Sequence, residues 1–237
     1  MSIVQFLIKI PIISLLKPSY PDQLRLVLQL PIINLLMRRY KFQGNCLNAG
    51  CGEGMYIPLI RSFKEIQNIS NIDIKISNAM KAEFNKNNHN FAEASLTKIP
   101  YEDDSFECIL CTEVLEHIED HDKVLNELFR VLKKSGRLLL SVPQTPAPWD
   151  PAHFRQGYTK KEIDLLLKSA GFNVVSFRDC FFMFSRAIMH YWRNPLVKFG
   201  KHQCPYLPRG LLLLLCFLDL LLQIGKPWDI VVMAEKT

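Results

Sequence analysis

The stretch Asn48-Ala49-Gly50-Cys51-Gly52-Glu53-Gly54 decides how the rest of the chain is read. It follows the short apolar run Cys46-Leu47 and precedes a segment with helical spacing over about 55–64. Glycines at alternate positions let a backbone turn sharply and approach a ligand with no β-carbon in between. The turn also directs amide N–H groups toward the start of a helix, a favourable place for an anionic or polar group. A lone G-x-G-x-G describes many ordinary tight turns as well. Asp73 gives it weight. It lies nineteen residues beyond Gly54 and closes the next strand-like run, Asn71-Ile72-Asp73-Ile74. At about this separation an acidic strand end accepts hydrogen bonds from both hydroxyls of a ribose. The competing reading of Asp73 is a cap on the following helix. Loop and carboxylate together indicate an adenosyl-type ligand, without specifying which one.

Outward from this unit the pattern alternates. Residues 78–86 suit a helix and 90–94 a third strand, and Phe106–Cys111 reads as a fourth. A long amphipathic helix follows over Lys123–Lys133, with Val124, Leu125, Leu128, Val131 and Leu132 at helical spacing. Lys133-Lys134-Ser135-Gly136 has the basic residues and glycine of a helix C-terminus. Arg137–Val142 predicts a strand closed by Pro143, and Thr159 caps a helix over Lys160–Ala170 that Gly171 stops. Phe172–Phe177 and Ile230–Ala234 complete the strands. Strands alternating with helices across short loops predict an α/β, Rossmann-like, mostly parallel sheet with helices on both faces.

At 237 residues the chain has room for one α/β domain with a sizeable core and little more. Hydrophobic residues make up 49% and charged residues 22%, which excludes a disordered polymer. The net charge of +6 is spread along the sequence, with short clusters such as Arg38-Arg39-Tyr40-Lys41. No basic stripe with interleaved aromatics marks a nucleic-acid surface. Seven cysteines without regular spacing argue for a reducing, cytoplasmic compartment rather than a disulfide framework. Cys108 and Cys111 form a C-x-x-C inside a strand, so their side chains point to opposite faces, and no metal site is expected. The N-terminal run carries Lys9 within its apolar part and lacks a cleavage site, unlike a secretory signal.

The ordered motifs resemble those of the class I S-adenosylmethionine-dependent methyltransferases of small-molecule type (methyltransferase domain 11-like). They are the glycine stretch 47–54, Ile99-Pro-Tyr-Glu-Asp-Asp-Ser-Phe-Glu107, Val114-Leu-Glu-His117, residues 127–136 and Ser141-Val-Pro143. The resemblance covers about 44–178 and resumes at the last strand. It implies a seven-stranded sheet with the last strand antiparallel, and S-adenosyl-L-methionine as cofactor. It also implies a cofactor site made of Asn48, Gly50, Cys51, Gly52, Gly54, Asp73, Ile74, Ser95, Leu96, Cys111, Thr112 and Glu113. The family often has Asp where this chain has Asn48, and Asp at the adenine position where Ser95 stands. Both changes weaken charge-assisted bonding and leave neutral hydrogen bonding.

Methyl transfer from a sulfonium needs an acceptor lone pair on line and little water; a base is needed only for an unionised acceptor. His153, in Pro151-Ala-His-Phe-Arg155 after the fifth strand, is the candidate catalytic base, against a reading in which it and Arg155 pin that loop. His117 reads as structural. No Asn-Pro-Pro-Tyr-like tetrad follows the fourth strand, which disfavours nucleic-acid acceptors. The domain plan is a single methyltransferase domain. It comprises an apolar helical segment over 1–43, broken by Pro11, Pro18, Pro21 and Pro31, a cofactor-binding core over 44–178, an apolar insertion or lid over 179–227, and the last strand over 228–237. As a helix, 209–224 spans about 24 Å, short of a membrane's hydrocarbon layer, and Asp219 interrupts it. The segments 1–36 and 181–224 suit a lid, a dimer surface or peripheral membrane contact. The expected acceptor is small and apolar, such as a lipid, quinone or polyketide-like molecule. The alternative is a membrane-associated scaffold that kept the fold and lost turnover.

Overall fold

A computed structural model describes residues 25–84, 89–147, 149–193 and 209–237. The expected breaks at Pro11, Pro18 and Pro21 lie outside these residues. Seven strands form one sheet: β1 (Gly44–Ala49), β2 (Ile66–Asp73), β3 (His89–Glu93), β4 (Phe106–Thr112), β5 (Leu132–Pro143), β6 (Phe172–Cys180) and β7 (Asp229–Lys236). Their order is β3-β2-β1-β4-β5-β7-β6. Strands β3, β2, β1, β4 and β5 pair in parallel, and β7 runs antiparallel to β5.

The chain leaves β1 toward β2 and β3, then returns to place β4 on the other side of β1. Strand order therefore reverses between β1 and β4. In open α/β sheets the crevice beyond the carboxyl ends of the strands at such a point is where ligands bind. The glycine loop leaves β1 at that point and Glu113 follows β4 there.

Among the described residues seven helices accompany the strands: α1 (Leu30–Arg39), α2 (Ile57–Arg61), α3 (Asn78–Phe84), α4 (His121–Val131), α5 (Lys160–Ser169), α6 (Met183–Arg193) and α7 (Arg209–Leu222), with a π-helical turn over Arg25–Gln29 and a 3₁₀ turn over Leu115–His117. Helix α4 buries Val124, Leu125, Leu128 and Val131 completely against a core that includes Leu47, Ile109, Leu138, Leu140 and Val232. Each such side chain contributes about 1.5–3 kcal/mol relative to exposure. Helix α5 starts as its sequence predicts: Thr159 Oγ1 accepts from Glu162 N, and the Glu162 carboxylate accepts from Thr159 N in return.

The junction after α4 differs most from expectation. Lys133-Lys134-Ser135-Gly136 does not end α4, because that helix stops at Val131 and the chain enters β5 at Leu132, whose ψ is 135°. Leu132 pairs with Phe106, and the next pair on that edge is Arg137 with Cys108. The four intervening residues form an irregularity in the strand, with Ser135 at φ 62°. Burial of Leu132 on the sheet outweighed the helix-ending chemistry of the residues after it.

The chain divides into two compact units. Asn34–Arg178 with Asp229–Thr237 holds nearly the whole sheet and the crevice. Residues 25–33 and Asp179–Trp228 make the other, which contains α6 and α7. Within it, Asp219 is 1% exposed and accepts hydrogen bonds from Phe182 N, Phe184 N and Ser185 Oγ at 2.8, 2.8 and 2.6 Å. The residue that looks like an interruption of α7 is the anchor for the first turn of α6. Among the described residues no helix is long and apolar enough to cross a membrane.

Candidate functional site

The turn after β1 is held by the strand beside it. Gly50 N and Cys51 N both donate to Ile72 O, at 2.8 and 2.9 Å, and Gly54 N donates to Cys51 O. Gly50 has φ 70°, and a β-carbon there would lie 2.2 Å from Val114 Cγ2. Only glycine fits, for backbone and for space. Gly52 is different: φ is 50°, and its β-carbon position meets nothing within 4 Å. That open side is where the backbone can approach a ligand. Gly52 N donates to Asp73 Oδ2 at 2.8 Å, so glycine loop and acidic strand end meet directly. Lys75 N makes a longer contact, 3.4 Å, to Asp73 Oδ1. Ile74, next to this carboxylate, is 78% exposed, an apolar surface beside a polar one.

Asn48 faces its neighbours in the sheet. It is buried, and its Nδ2 donates to Asn71 Oδ1 at 3.0 Å, while Asn71 Nδ2 donates to Asn90 O. A row of amides thus links β1, β2 and the start of β3. Beyond β3, Ser95 Oγ is shared with Thr97 Oγ1 at 2.8 Å and accepts from Thr97 N, while Leu96 is buried in the core. Cys51 is largely buried, which pushes its thiol up to about 12, with the Asp73 charge adding to the effect. Burial raises Cys111 as well, with Glu116 and Glu113 adding to it. Neither thiol is a thiolate near neutral pH.

At the carboxyl end of β4, Glu113 has φ 54°, an uncommon conformation for a non-glycine residue and one concentrated at functional sites. It is fixed from β5: Glu113 N donates to Ser141 O, and Ser141 Oγ donates to Glu113 Oε1 at 2.7 Å. The 3₁₀ turn after it carries Glu116 and His117. Glu116 is completely buried, and its backbone carbonyl accepts from Phe154 N and Arg155 N. His117 Nδ1 lies 3.0 Å from Ala152 O, and its ring meets the His153 ring edge-on, with centroids 4.5 Å apart. The loop bearing His153 is therefore docked onto the turn that follows β4.

The structure brings Gly50, Cys51, Gly52, Gly54 and Asp73 together at one strand edge, and sets Cys111, Thr112 and Glu113 at the end of the adjacent strand β4. Ser95 and Leu96 lie past the end of β3. Glu116 is the residue that sequence reading passed over. Its signal was present in Val114-Leu-Glu-His117, but its significance depends on a loop far along the chain.

Residues 47–140 match a methyltransferase domain model. The chain is 28% identical over 135 residues to a probable S-adenosylmethionine-dependent methyltransferase of Mycolicibacterium smegmatis, covering 54% of this chain and 51% of that one. It is 29% identical over 115 residues to a ubiquinone/menaquinone biosynthesis C-methyltransferase of Haemophilus ducreyi, covering 48% and 43% respectively. The chain thus spans about half the length of the curated relatives it matches. Among solved structures, it aligns with the Burkholderia thailandensis 1,6-didemethyltoxoflavin-N1-methyltransferase bound to 1,6-didemethyltoxoflavin and S-adenosylhomocysteine, at a TM-score of 0.58 and 17% identity over 87% of this chain and 77% of that one. Fold, motif order and these matches define a Rossmann-like methyltransferase domain. Residues 47–140 thus match a methyltransferase domain, and the chain is similar to S-adenosylmethionine-dependent methyltransferases over about half its length.

Proposed function

We propose that the protein transfers the methyl group of S-adenosyl-L-methionine to a small, apolar acceptor. The observation that carries the reading is the 2.8 Å contact between Gly52 N and Asp73 Oδ2, beside a loop face open to a ligand. The residues present fit an adenosyl ligand: a bare glycine backbone for close approach, a carboxylate for ribose hydroxyls and exposed Ile74 beside it. When bound, the cofactor supplies a methyl group already activated by its sulfonium. Asp73 holds the ribose and Gly52 and Gly54 line its approach. Ser95 and Leu96 border the adenine, and Cys111, Thr112 and Glu113 border the reacting end. Asn48 acts through Asn71, keeping β1 and β2 aligned under the loop. His153 stands on the acceptor side as a proton acceptor for a hydroxyl or carbon acid.

The apolar acceptor is supported by the helical unit, where Leu214, Phe217, Leu221, Leu222 and Ile224 are exposed. This unit, with the apolar residues 1–36, is proposed as a lid and peripheral membrane surface; residues 1–24 lie outside the described part of the chain. The quinone-pathway relative favours an acceptor of the lipid, quinone or polyketide-like kind. Calorimetric titration with S-adenosylhomocysteine tests the cofactor half, with micromolar binding expected. A folded protein giving no heat at high micromolar ligand would overturn it. Untargeted metabolite comparison after gene deletion, searching for a loss of 14 mass units, tests the acceptor. The neutral Asn48 favours one rival, a scaffold that kept the fold. Unchanged cellular function on Asp73→Ala, with methyl transfer abolished, would select that rival.

A further inference from the structure

We infer that Glu116, His117 and His153 form a binding site for one divalent transition-metal ion on the acceptor side of the crevice. One donor atom from each residue lies within 4.8 Å of the other two. An ion bound at about 2.0–2.2 Å to nitrogen and oxygen ligands can touch all three after side-chain shifts of about 1 Å. Two imidazoles and one carboxylate suit a zinc or ferrous-type ion rather than magnesium or calcium, which prefer all-oxygen shells.

Three further observations fit ligation. His117 Nδ1 is 3.0 Å from Ala152 O, so this nitrogen carries the proton and donates it to the carbonyl. That fixes the tautomer with a lone pair on Nε2, as the outer hydrogen bond of a metal-bound histidine does. Nε2 in turn sits 3.8 Å from Glu116 Oε1. The Glu116 side chain is 0% exposed while that of His117 is 41% exposed, so the cluster has an interior wall and an entry path from solvent. Finally, the two halves of the cluster are tied together: Phe154 N and Arg155 N donate to Glu116 O, and Gln156 Nε2 braces the loop at Asp150 O and His153 O. The loop cannot drift from the turn without breaking these bonds, so the ligand set is preorganised.

Three protein ligands leave coordination positions open. Glu113 stands three residues before Glu116, and Gly50 of the glycine loop packs under Val114, two residues before it. The ion's task there is to hold an oxygen of the acceptor and orient it, and with the ion bound it takes the place of His153 as the group that activates that oxygen. That role rests on the methyl-transfer reading, whereas metal binding itself does not.

The test uses chelator-treated full-length protein titrated with Co²⁺, followed by visible absorption, and with Zn²⁺, followed by calorimetry. One equivalent is expected in the wild type, with binding weakened at least about tenfold in His117→Gln and His153→Gln. Histidine ring resonances shifted by Co²⁺ in the unaltered protein identify the ligands without any substitution. The site is overturned by absence of Co²⁺ bands and Zn²⁺ heat at about 100 μM metal, roughly a hundredfold above a micromolar Kd. It is overturned equally by titrations unchanged in both variants, which would move the metal to the cysteines. S-adenosylhomocysteine binding on the same samples reports separately: retained without metal binding, it removes only the metal site; lost while metal binds, it removes the methyl-transfer reading and leaves this site standing.

Discussion

Asp73 and Asp219 are both carboxylates that accept from backbone amides, yet they sit in opposite circumstances. Asp219, in the helical unit, is buried and consumed by two amides and a hydroxyl. Asp73, at the sheet edge, is half-buried and has one short bond, from Gly52 N. A carboxylate whose acceptor capacity is used up by its own fold is a structural element. One held by a single short bond beside open space is available to a ligand. The two glycines divide the same way: Gly50 is filled from outside by Val114, and Gly52 opens onto nothing within 4 Å.

The largest expected effect tests the structural side. Asp219→Ala leaves buried donors at the start of α6 without an acceptor and should cost about 3–5 kcal/mol in denaturant unfolding. A loss below about 1 kcal/mol would erase the contrast. Gly50→Ala comes next, at about 2–4 kcal/mol, since a clash with Val114 adds to a left-handed backbone. Gly52→Ala should cost only about 1–2 kcal/mol of stability, from backbone alone, while weakening S-adenosylhomocysteine binding. Equal thermal shifts for the two glycine variants would contradict the assigned roles. Asp73→Ala should lower S-adenosylhomocysteine affinity by about 10–100-fold, or roughly 1.5–3 kcal/mol, with stability changed by less than about 1 kcal/mol.

The smallest effect is a pH control remote from both carboxylates. The Arg130 guanidinium holds the Glu127 carboxyl below its usual range, against opposing burial and with help from Ile99 N. A depressed folded-state value stabilises the fold above the unfolded pKa, near 4.3, and that contribution fades as pH falls through the lower folded value. Glu127→Gln should remove a few tenths to about 1 kcal/mol at neutral pH and flatten the acid limb of a stability–pH curve. An unchanged acid limb would place the acid sensitivity elsewhere.

The sheet edge was legible in the sequence because its signals are local: glycines before a helix, an acidic residue at the next strand end, and strand-helix alternation. The junction of α4 and β5 was misread, since Lys133-Lys134-Ser135-Gly136 carries real helix-ending chemistry and only the neighbouring β4 reveals the competing strand. Asp219 looked like a defect because its three partners are more than thirty residues away in sequence. Glu116 was passed over for the same reason. Long-range partners give a residue its meaning, and periodicity does not report them.

The amide row from Asn48 through Asn71 to Asn90 O has a mutational corollary. A carboxylate at 48 would confront the Asn71 oxygen, and relief would require Asn71 to turn its amide over and abandon Asn90. The two positions are therefore epistatic: Asn48→Asp alone should be penalised, and the penalty should shrink when residue 71 is changed with it, a non-additivity that a double-mutant cycle reads directly.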